Sequence, residues 1–219
     1  AHLRLERVYG YNPSLDKRNI VSASGTNEET NEPWAVVIYT VAAVAVVQAW
    51  GDGRPRGAQR FYREHEDDIS CVALDRTGQL ACTGQIGLPC WLSLWTVDDL
   101  EEHYRFGEEA PPFTKAGREH KNTFFFQRGV CQAAFSPDSE FVCGVGMDDH
   151  HQLAVWHVAT GHMIGFVAVC NGEPPQVFGL EWTTMDQLVT VGKSKHAKVW
   201  DVKLAAALRR HPKFPGTAS

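Results

Sequence analysis

The sequence predicts an all-β fold, an incomplete β-propeller of about three full blades preceded by a partial blade. The first observation behind this prediction is a repeated unit of two apolar strands, a closing glycine and a third strand that ends in tryptophan. Two of these tryptophans, Trp156 and Trp200, lie 44 residues apart, within the roughly 40–45 residues of a four-stranded blade. The second observation is an uncharged run at residues 35–47.

The uncharged run is the longest apolar stretch of the chain and lies between Trp34 and Trp50. Its 13 residues are too few for a membrane span, which needs roughly 18 or more consecutive apolar residues, and it lacks the basic start and cleavage site of a secretory signal. Eight of the 13 are Val, Ile or Thr, which favour strands. The run therefore predicts two strands of a partial blade, whose own first strand is expected from residues 3–11, from chain beyond the end, or from a partner.

The three repeated units follow this run in order. Their first three strands are predicted at residues 69–74, 80–84 and 91–95, then 130–135, 141–144 and 153–156, then 177–182, 188–192 and 197–201. The fourth strands are predicted at residues 102–106, 163–169 and 204–208, and residues 59–62 complete the partial blade.

Polar residues predict a loop at residues 12–33. Prolines, glycines and charged residues predict a surface insertion at residues 107–122. The predicted divisions are a lead-in and polar loop, a partial blade, a blade, the insertion, a blade, and a last blade with a C-terminal tail, at residues 1–33, 34–62, 63–106, 107–122, 123–169 and 170–219.

Composition excludes several classes of partner. The 219 residues have a net charge of −5 and a pI near 6.1, which argues against nucleic acid as a partner and against attraction to an anionic membrane. None of the six cysteines forms a C-x-x-C pair, so a zinc ribbon or a thioredoxin-like site is not expected. These features predict a reduced, cytosolic protein.

Three groups of residues have the types that chemistry needs. Residues 148–151, Asp-Asp-His-His, include metal ligands, but neighbouring side chains in a loop rarely converge on one ion, so a solvated loop is favoured. His65, Asp68 and Ser70 contain the residue types of a hydrolytic triad, and their close spacing is more simply a structural hydrogen-bond cluster. The glycines of residues 84–87 lack the helix start of a phosphate loop. We predict no catalytic, cofactor-binding or metal site, and a protein that is not an enzyme.

The repeated units resemble degenerate WD repeats. Only the third keeps the Trp-Asp pair, at Trp200 and Asp201, whereas Thr96 and His157 follow the other two tryptophans. In WD repeats a histidine before the first strand joins a structural hydrogen-bond network with an aspartate, a serine or threonine, and the tryptophan. The resemblance implies a structural network drawn from His65, Asp68, Thr83, Trp95, Trp156, Trp200 and Asp201.

A more specific resemblance covers nearly the whole chain. Residues 3–11 with 18–19 are similar to the entry of the hydrophobic HELP motif of the echinoderm microtubule-associated protein-like (EMAP-like) family, and residues 37–47 to its core. Further matches to the repeats of that family lie at residues 59–69, 81–86, 127–130 and 191–196. The resemblance implies a WD-repeat propeller scaffold that continues for more blades and binds tubulin or microtubules.

Two functions are therefore expected as alternatives. The first is a microtubule-associated scaffold of the cytoplasm and cytoskeleton, with a cilium axoneme or a centriole among its locations. Because tubulin is acidic, its contact would use basic patches at residues 54–56 and 203–213. The second is a general WD-repeat adaptor without tubulin contact. In either case other proteins are expected to cover the open propeller edge, and the three phenylalanines of residues 124–126 are expected to lead into a buried strand rather than to bind a partner.

Overall fold

The computed structural model describes residues 19–51, 58–108, 124–173, 176–193 and 196–202. In these ranges the chain forms fifteen β-strands. They are β1 (Ile20–Thr26), β2 (Pro33–Val41), β3 (Val44–Trp50), β4 (Gln59–Tyr62), β5 (Ile69–Leu74), β6 (Leu80–Gln85), β7 (Leu92–Thr96), β8 (Glu102–Phe106), β9 (Val130–Phe135), β10 (Phe141–Gly146), β11 (Gln152–His157), β12 (Met163–Ala168), β13 (Val177–Trp182), β14 (Gln187–Gly192) and β15 (Ala197–Asp201). Among the described residues there is no helix of the length and apolarity needed to cross a membrane.

The strands form four antiparallel sheets, each built from consecutive strands. Sheet 1 holds β1–β4, sheet 2 holds β5–β8, sheet 3 holds β9–β12 and sheet 4 holds β13–β15. The first strands of neighbouring sheets pack against one another in sequence order, so they lie innermost, around a common axis. The prediction of an all-β, incomplete propeller is confirmed.

The prediction of a loop throughout residues 12–33 is wrong, because Ile20–Thr26 form β1. This strand pairs with β2 from Ile20↔Tyr39 to Thr26↔Pro33, so sheet 1 has its own first strand and needs none from elsewhere. Val21 and Ala23 pack against the core, while Ser22 and Ser24, which alternate with them, are exposed. Buried and exposed residues thus alternate, as in a half-buried strand. The pattern is hard to recognise in the sequence because the exposed residues are serines, which are also common in loops. Residues 3–11 lie outside the described ranges.

Sheet 4 has three strands within the described residues. The fourth strand predicted at residues 204–208 lies outside them, as does the predicted insertion at 107–122 apart from Gly107 and Glu108.

Three hydrophobic clusters fill the three interfaces between consecutive sheets. In each interface the later sheet turns its third-strand tryptophan toward the earlier sheet. Trp95 lies with the apolar residues of β2 and β3, Trp156 with those of sheet 2, and Trp200 packs against the cluster of sheet 3. Burying a large side chain of this kind contributes about 1.5–3 kcal/mol, so each tryptophan fastens one sheet to the sheet before it.

The outward face of sheet 4 is the open flank that the sequence predicts. Val189 and Val199 pair in the row next to Trp200, the position that Cys143 and Val155 hold in sheet 3. There the equivalent residues are buried against sheet 4, whereas Val199 is 64% exposed and Val191, on the same face, is 43% exposed. The described residues therefore leave an apolar sheet face uncovered.

Trp34 fastens sheet 1 to the turn after β5. Its ring lies between two glycines: a Cβ added at Gly25 or at Gly78 would lie 2.9 Å from the nearest ring carbon. Gly78 also has a φ of +72°, in the left-handed region where glycine is favoured. The close approach of turn and ring thus requires glycine for two separate reasons.

We predict that Gly78→Ala lowers the free energy of unfolding by about 2 kcal/mol, because alanine is strained at this φ and displaces Trp34. In a Trp34→Leu background the same substitution should cost only about 1 kcal/mol, from backbone strain alone. Urea unfolding of the four variants measures this coupling. An equal cost in both backgrounds would show that the ring contact is energetically irrelevant.

Candidate functional site

A chain of buried hydrogen bonds joins three of the predicted network residues. His65, in the segment between β4 and β5, is 6% exposed, and its Nε2 lies 2.6 Å from Thr83 Oγ1. Trp95 Nε1 donates to the same oxygen over 3.1 Å. On the other side of the ring, His65 Nδ1 lies beside Gln85 Oε1, which can only accept, so the imidazole proton is on Nδ1 and the Thr83 hydroxyl donates to Nε2 while it accepts from Trp95.

Gln85 completes this hydrogen-bond chain. His65 Nδ1 lies 2.7 Å from Gln85 Oε1, and Gln85 Nε2 donates to the Pro89 carbonyl over 2.9 Å. Asp68 is exposed and is not brought to these residues; its backbone N–H donates to the carboxylate of Asp67. The neutral amide of Gln85 thus takes the place beside the imidazole that the sequence analysis gave to the carboxylate of Asp68. A neutral partner suits a buried site because no uncompensated charge is placed there.

Sheet 4 carries a second copy of the histidine–threonine–tryptophan arrangement. Trp200 Nε1 donates to Thr190 Oγ1 over 2.9 Å, and the same oxygen lies 3.0 Å from His196 Nε2. Asp201 stands at the exposed end of β15, opposite Gln187 in the register. Thr190 and His196 were missed by the sequence analysis. A threonine 10–12 residues before the repeat tryptophan, seen at Thr83 and Thr190, is the signal that could have found them.

In sheet 3 the position equivalent to Thr83 is occupied by Gly144, because Gly144 pairs with Ala154 as Thr83 pairs with Ser93. This position therefore offers no hydroxyl to Trp156. Trp156 instead stacks against Phe106 with ring centroids 5.1 Å apart, and Phe125 meets it edge-on at 6.2 Å. Phe125 and Phe126 are fully buried, which confirms the prediction that residues 124–126 lead into the core.

A second polar cluster, missed from the sequence, joins sheets 1 and 2. The carboxylate of Glu102 accepts from Tyr62 Oη over 2.8 Å, from Ser93 Oγ over 2.5 Å and from Arg105 Nε over 2.8 Å. The Tyr62 ring stacks on Trp95 at 4.4 Å, and burial raises the pKa of its hydroxyl well above the usual value. These residues come from β7, β8 and the end of β4, so no local motif reveals the cluster.

The loop at residues 148–151 is not the solvated loop that the sequence predicts. Asp148 and His151 are buried, because each satisfies backbone donors: the Asp148 carboxylate accepts from the N–H groups of His150 and Gln152, and His151 Nε2 accepts from that of Gln176 over 3.0 Å. Only Asp149 and His150 are exposed. Within the described ranges no three histidine, cysteine or acidic side chains are grouped to hold a metal ion.

Charge is divided unevenly along the chain. The described residues hold 21 of the 26 acidic residues and 7 of the 21 lysines and arginines, a net charge of −14. The remaining segments hold 14 basic and 5 acidic residues, a net charge of +9. The basic patches proposed from the sequence at residues 54–56 and 203–213 both lie outside the described ranges.

Four consecutive antiparallel sheets, fastened by third-strand tryptophans and two histidine–threonine–tryptophan arrangements, define an incomplete β-propeller of the WD-repeat class. No family model matches the chain. Curated relatives agree with the resemblance seen in the sequence: the chain is 28% identical to human echinoderm microtubule-associated protein-like 2 over 98% of its length. It is 29% identical to human echinoderm microtubule-associated protein-like 3 over 91%, and 25% identical to the cilia- and flagella-associated protein 52 of Chlamydomonas reinhardtii over 90%.

These relatives confirm the predicted resemblance to the EMAP-like family. The chain spans 30%, 21% and 28% of the lengths of these three proteins, respectively.

Burial lowers the pKa of His65 from 6.5 to about 4, so the folded protein holds this imidazole neutral. The contribution of neutral His65 to the free energy of unfolding is complete above pH 6.5. It is lost as the pH falls toward 4, because the unfolded chain binds the proton at a higher pH than the folded protein does. The loss amounts to about 3 kcal/mol. We predict that the stability advantage of the wild type over His65→Asn shrinks across this window, as measured by urea unfolding at half-unit pH steps. An advantage that stayed constant with pH would contradict the lowered pKa.

The two threonines offer a matched pair of substitutions. Thr83→Val should cost about 2 kcal/mol or more, because it leaves Trp95 Nε1 and His65 buried without their partner. Thr190→Val should cost about 1 kcal/mol or less, because Trp200 and His196 are only partly buried and water can replace the hydroxyl. Urea unfolding at pH 7 compares the two variants. An equal loss of unfolding free energy in the two variants would mean that burial of the tryptophan and histidine does not determine the cost of removing the hydroxyl.

Proposed function

We propose that this chain is part of a non-catalytic, microtubule-associated scaffold that binds tubulin or the microtubule lattice. The observation that carries the proposal is similarity over almost the whole chain to proteins named as microtubule-associated. The similarity to a cilia- and flagella-associated protein supports the cytoskeleton, including a cilium axoneme or centriole, as its location.

The charge distribution favours particular contact regions for this function. Tubulin is acidic, and the described propeller body, at −14, repels an acidic surface. The basic residues are concentrated in the remaining segments, among them Arg54, Arg56 and residues 203–213. We therefore assign the microtubule contact to these segments.

Co-sedimentation with microtubules tests this assignment. The chain should pellet with microtubules at low salt and be released as salt rises, because the contact is electrostatic. The double substitution Arg54→Gln and Arg56→Gln should raise the Kd by about five-fold. The control is Arg76→Gln, which removes a guanidinium from the acidic body and should leave the Kd unchanged.

Two results would contradict the proposal. Failure of the unsubstituted chain to bind either microtubules or free tubulin would remove the function itself. Equal weakening by the control and the double substitution would remove the assigned contact region.

The acidity of the described body favours one alternative, a WD-repeat adaptor that docks other proteins without touching tubulin. A pull-down from cell extract with and without tubulin depletion separates the two functions. An adaptor keeps its partners after depletion, whereas a tubulin-bound scaffold loses those that reach it through tubulin.

A further inference from the structure

The connection between β12 and β13 contains the dipeptide Asn171-Gly172. Asn171 is the only asparagine of the chain that is followed by glycine. In such a pair the peptide nitrogen of the glycine can attack the side-chain amide of the asparagine, because glycine has no Cβ to shield that nitrogen or to restrict the backbone. Both residues are exposed, so water reaches the reacting groups. The dipeptide is therefore a candidate for deamidation.

Deamidation of this dipeptide needs water as its one co-reactant. The Gly172 nitrogen loses its proton and bonds to Asn171 Cγ, the Cγ–Nδ2 bond breaks, and the amide nitrogen leaves as ammonia with a proton in place of the lost bond. Water then adds to one of the two carbonyls of the cyclic imide and opens the ring. The product is aspartate or isoaspartate at position 171, and either one adds a negative charge at neutral pH.

A histidine from the loop between β10 and β11 contacts the oxygen on which charge develops in this reaction. His150 Nδ1 lies 2.8 Å from Asn171 Oδ1. An amide oxygen only accepts, so Nδ1 carries the ring proton and donates to it. When the Gly172 nitrogen attacks, the electron pair of the C=O double bond moves onto Oδ1. A donor already placed on that oxygen stabilises the developing negative charge, so His150 activates the amide.

The loop that carries His150 is anchored on both sides of the imidazole contact. The backbone N–H of His150 donates to the Asp148 carboxylate over 2.9 Å, and Asp148 is buried. The carboxylate of Asp149 lies 2.8 Å from Arg128 Nη1. The imidazole therefore meets Asn171 from a backbone that is held in place, which lowers the entropy cost of keeping the two groups together.

The same loop restrains the attacking nitrogen. The Gly172 N–H donates to the Asp149 carbonyl over 3.0 Å, and this bond must open before water or hydroxide can take the proton. Gly172 has a φ of +135°, and a Cβ added there would lie 3.2 Å from Gln176 Nε2, so the position favours glycine. One hydrogen bond thus delays the attack, and the bond from His150 assists it once it begins.

We propose that Asn171 is a deamidation site and that His150 assists the reaction as its oxyanion-stabilising donor. The modification places a carboxylate beside the imidazole. In the isoaspartate product it also inserts a methylene into the backbone between β12 and β13, which moves the Gly172 N–H away from the Asp149 carbonyl. The modification is independent of microtubule binding, since neither Asn171 nor His150 belongs to the basic segments.

Ageing of the whole purified chain at neutral pH and physiological temperature tests the site. Released ammonia is assayed, and peptide mass spectrometry with an isoaspartyl methyltransferase as reagent locates the product. We expect ammonia release with conversion at position 171, and neither in Asn171→Gln, since glutamine must close a larger ring. Isomerisation at Asp52-Gly53 releases no ammonia and maps elsewhere. An unconverted position 171 in the unsubstituted chain would overturn the site.

Three histidine variants test the role of His150. His150→Ala should slow conversion at position 171 about five-fold, the effect of one lost hydrogen bond. His150→Asn, whose amide nitrogen takes the place of Nδ1, should restore most of the rate. The matched control His162→Ala changes another exposed histidine and should leave the rate unchanged. An unchanged or faster rate in His150→Ala overturns the assistance, as does equal slowing by the control or failure of His150→Asn to restore the rate.

Discussion

Each described sheet has two faces to cover, and in sheets 2, 3 and 4 the third-strand tryptophan covers one of them. Trp95, Trp156 and Trp200 each pack on the sheet before, so the order of the sheets in space follows their order in the chain. A sheet alone could not bury both faces, and the stability of each unit therefore belongs partly to its neighbour. This dependence explains why the inter-sheet positions are apolar even where the repeat is degenerate.

The polar groups inside this packing follow the same logic. A tryptophan brings an N–H into the core, and an unmet N–H there costs about 1–3 kcal/mol. Thr83 and Thr190 accept that hydrogen, and each threonine in turn meets a histidine from a neighbouring segment. His65, which burial holds neutral, ties the segment between β4 and β5 to sheet 2 without introducing a charge. Sheet 3 has Gly144 in this place and relies on phenylalanine contacts around Trp156 instead.

The sequence was most informative where burial leaves a periodic trace. The strands of sheets 2 to 4 can be recognised because short apolar runs are separated by turn residues and each third run ends at a tryptophan, as at Trp95 and Trp200. Strand β1 was missed because its outward residues are serines and only Val21 and Ala23 mark the core face. Its pairing with β2 is decided by backbone hydrogen bonds, to which side-chain composition gives little guide.

The candidate site was only partly visible for a related reason. His65, Thr83 and Trp95 could be selected by residue type, but their partner Gln85 could not, because an amide and a carboxylate both satisfy an imidazole. Glu102 accepts from Tyr62 of β4, Ser93 of β7 and Arg105 of its own strand β8, and only the fold brings Tyr62 and Ser93 to it. Asp148 and His151 look like surface residues in the sequence and are buried because they serve backbone donors.

The uncovered valines of sheet 4 have a consequence for the behaviour of the protein in solution. Val191 and Val199 offer an apolar face to any other molecule, and faces of this kind promote association. The net charge of −5 opposes that association by repelling a second copy at a distance. The repulsion reaches about 10 Å at 0.1 M salt and only about 3 Å at 1 M, so ionic strength sets how closely two valine faces approach. Net charge therefore limits self-association through the sheet face that the described residues leave uncovered.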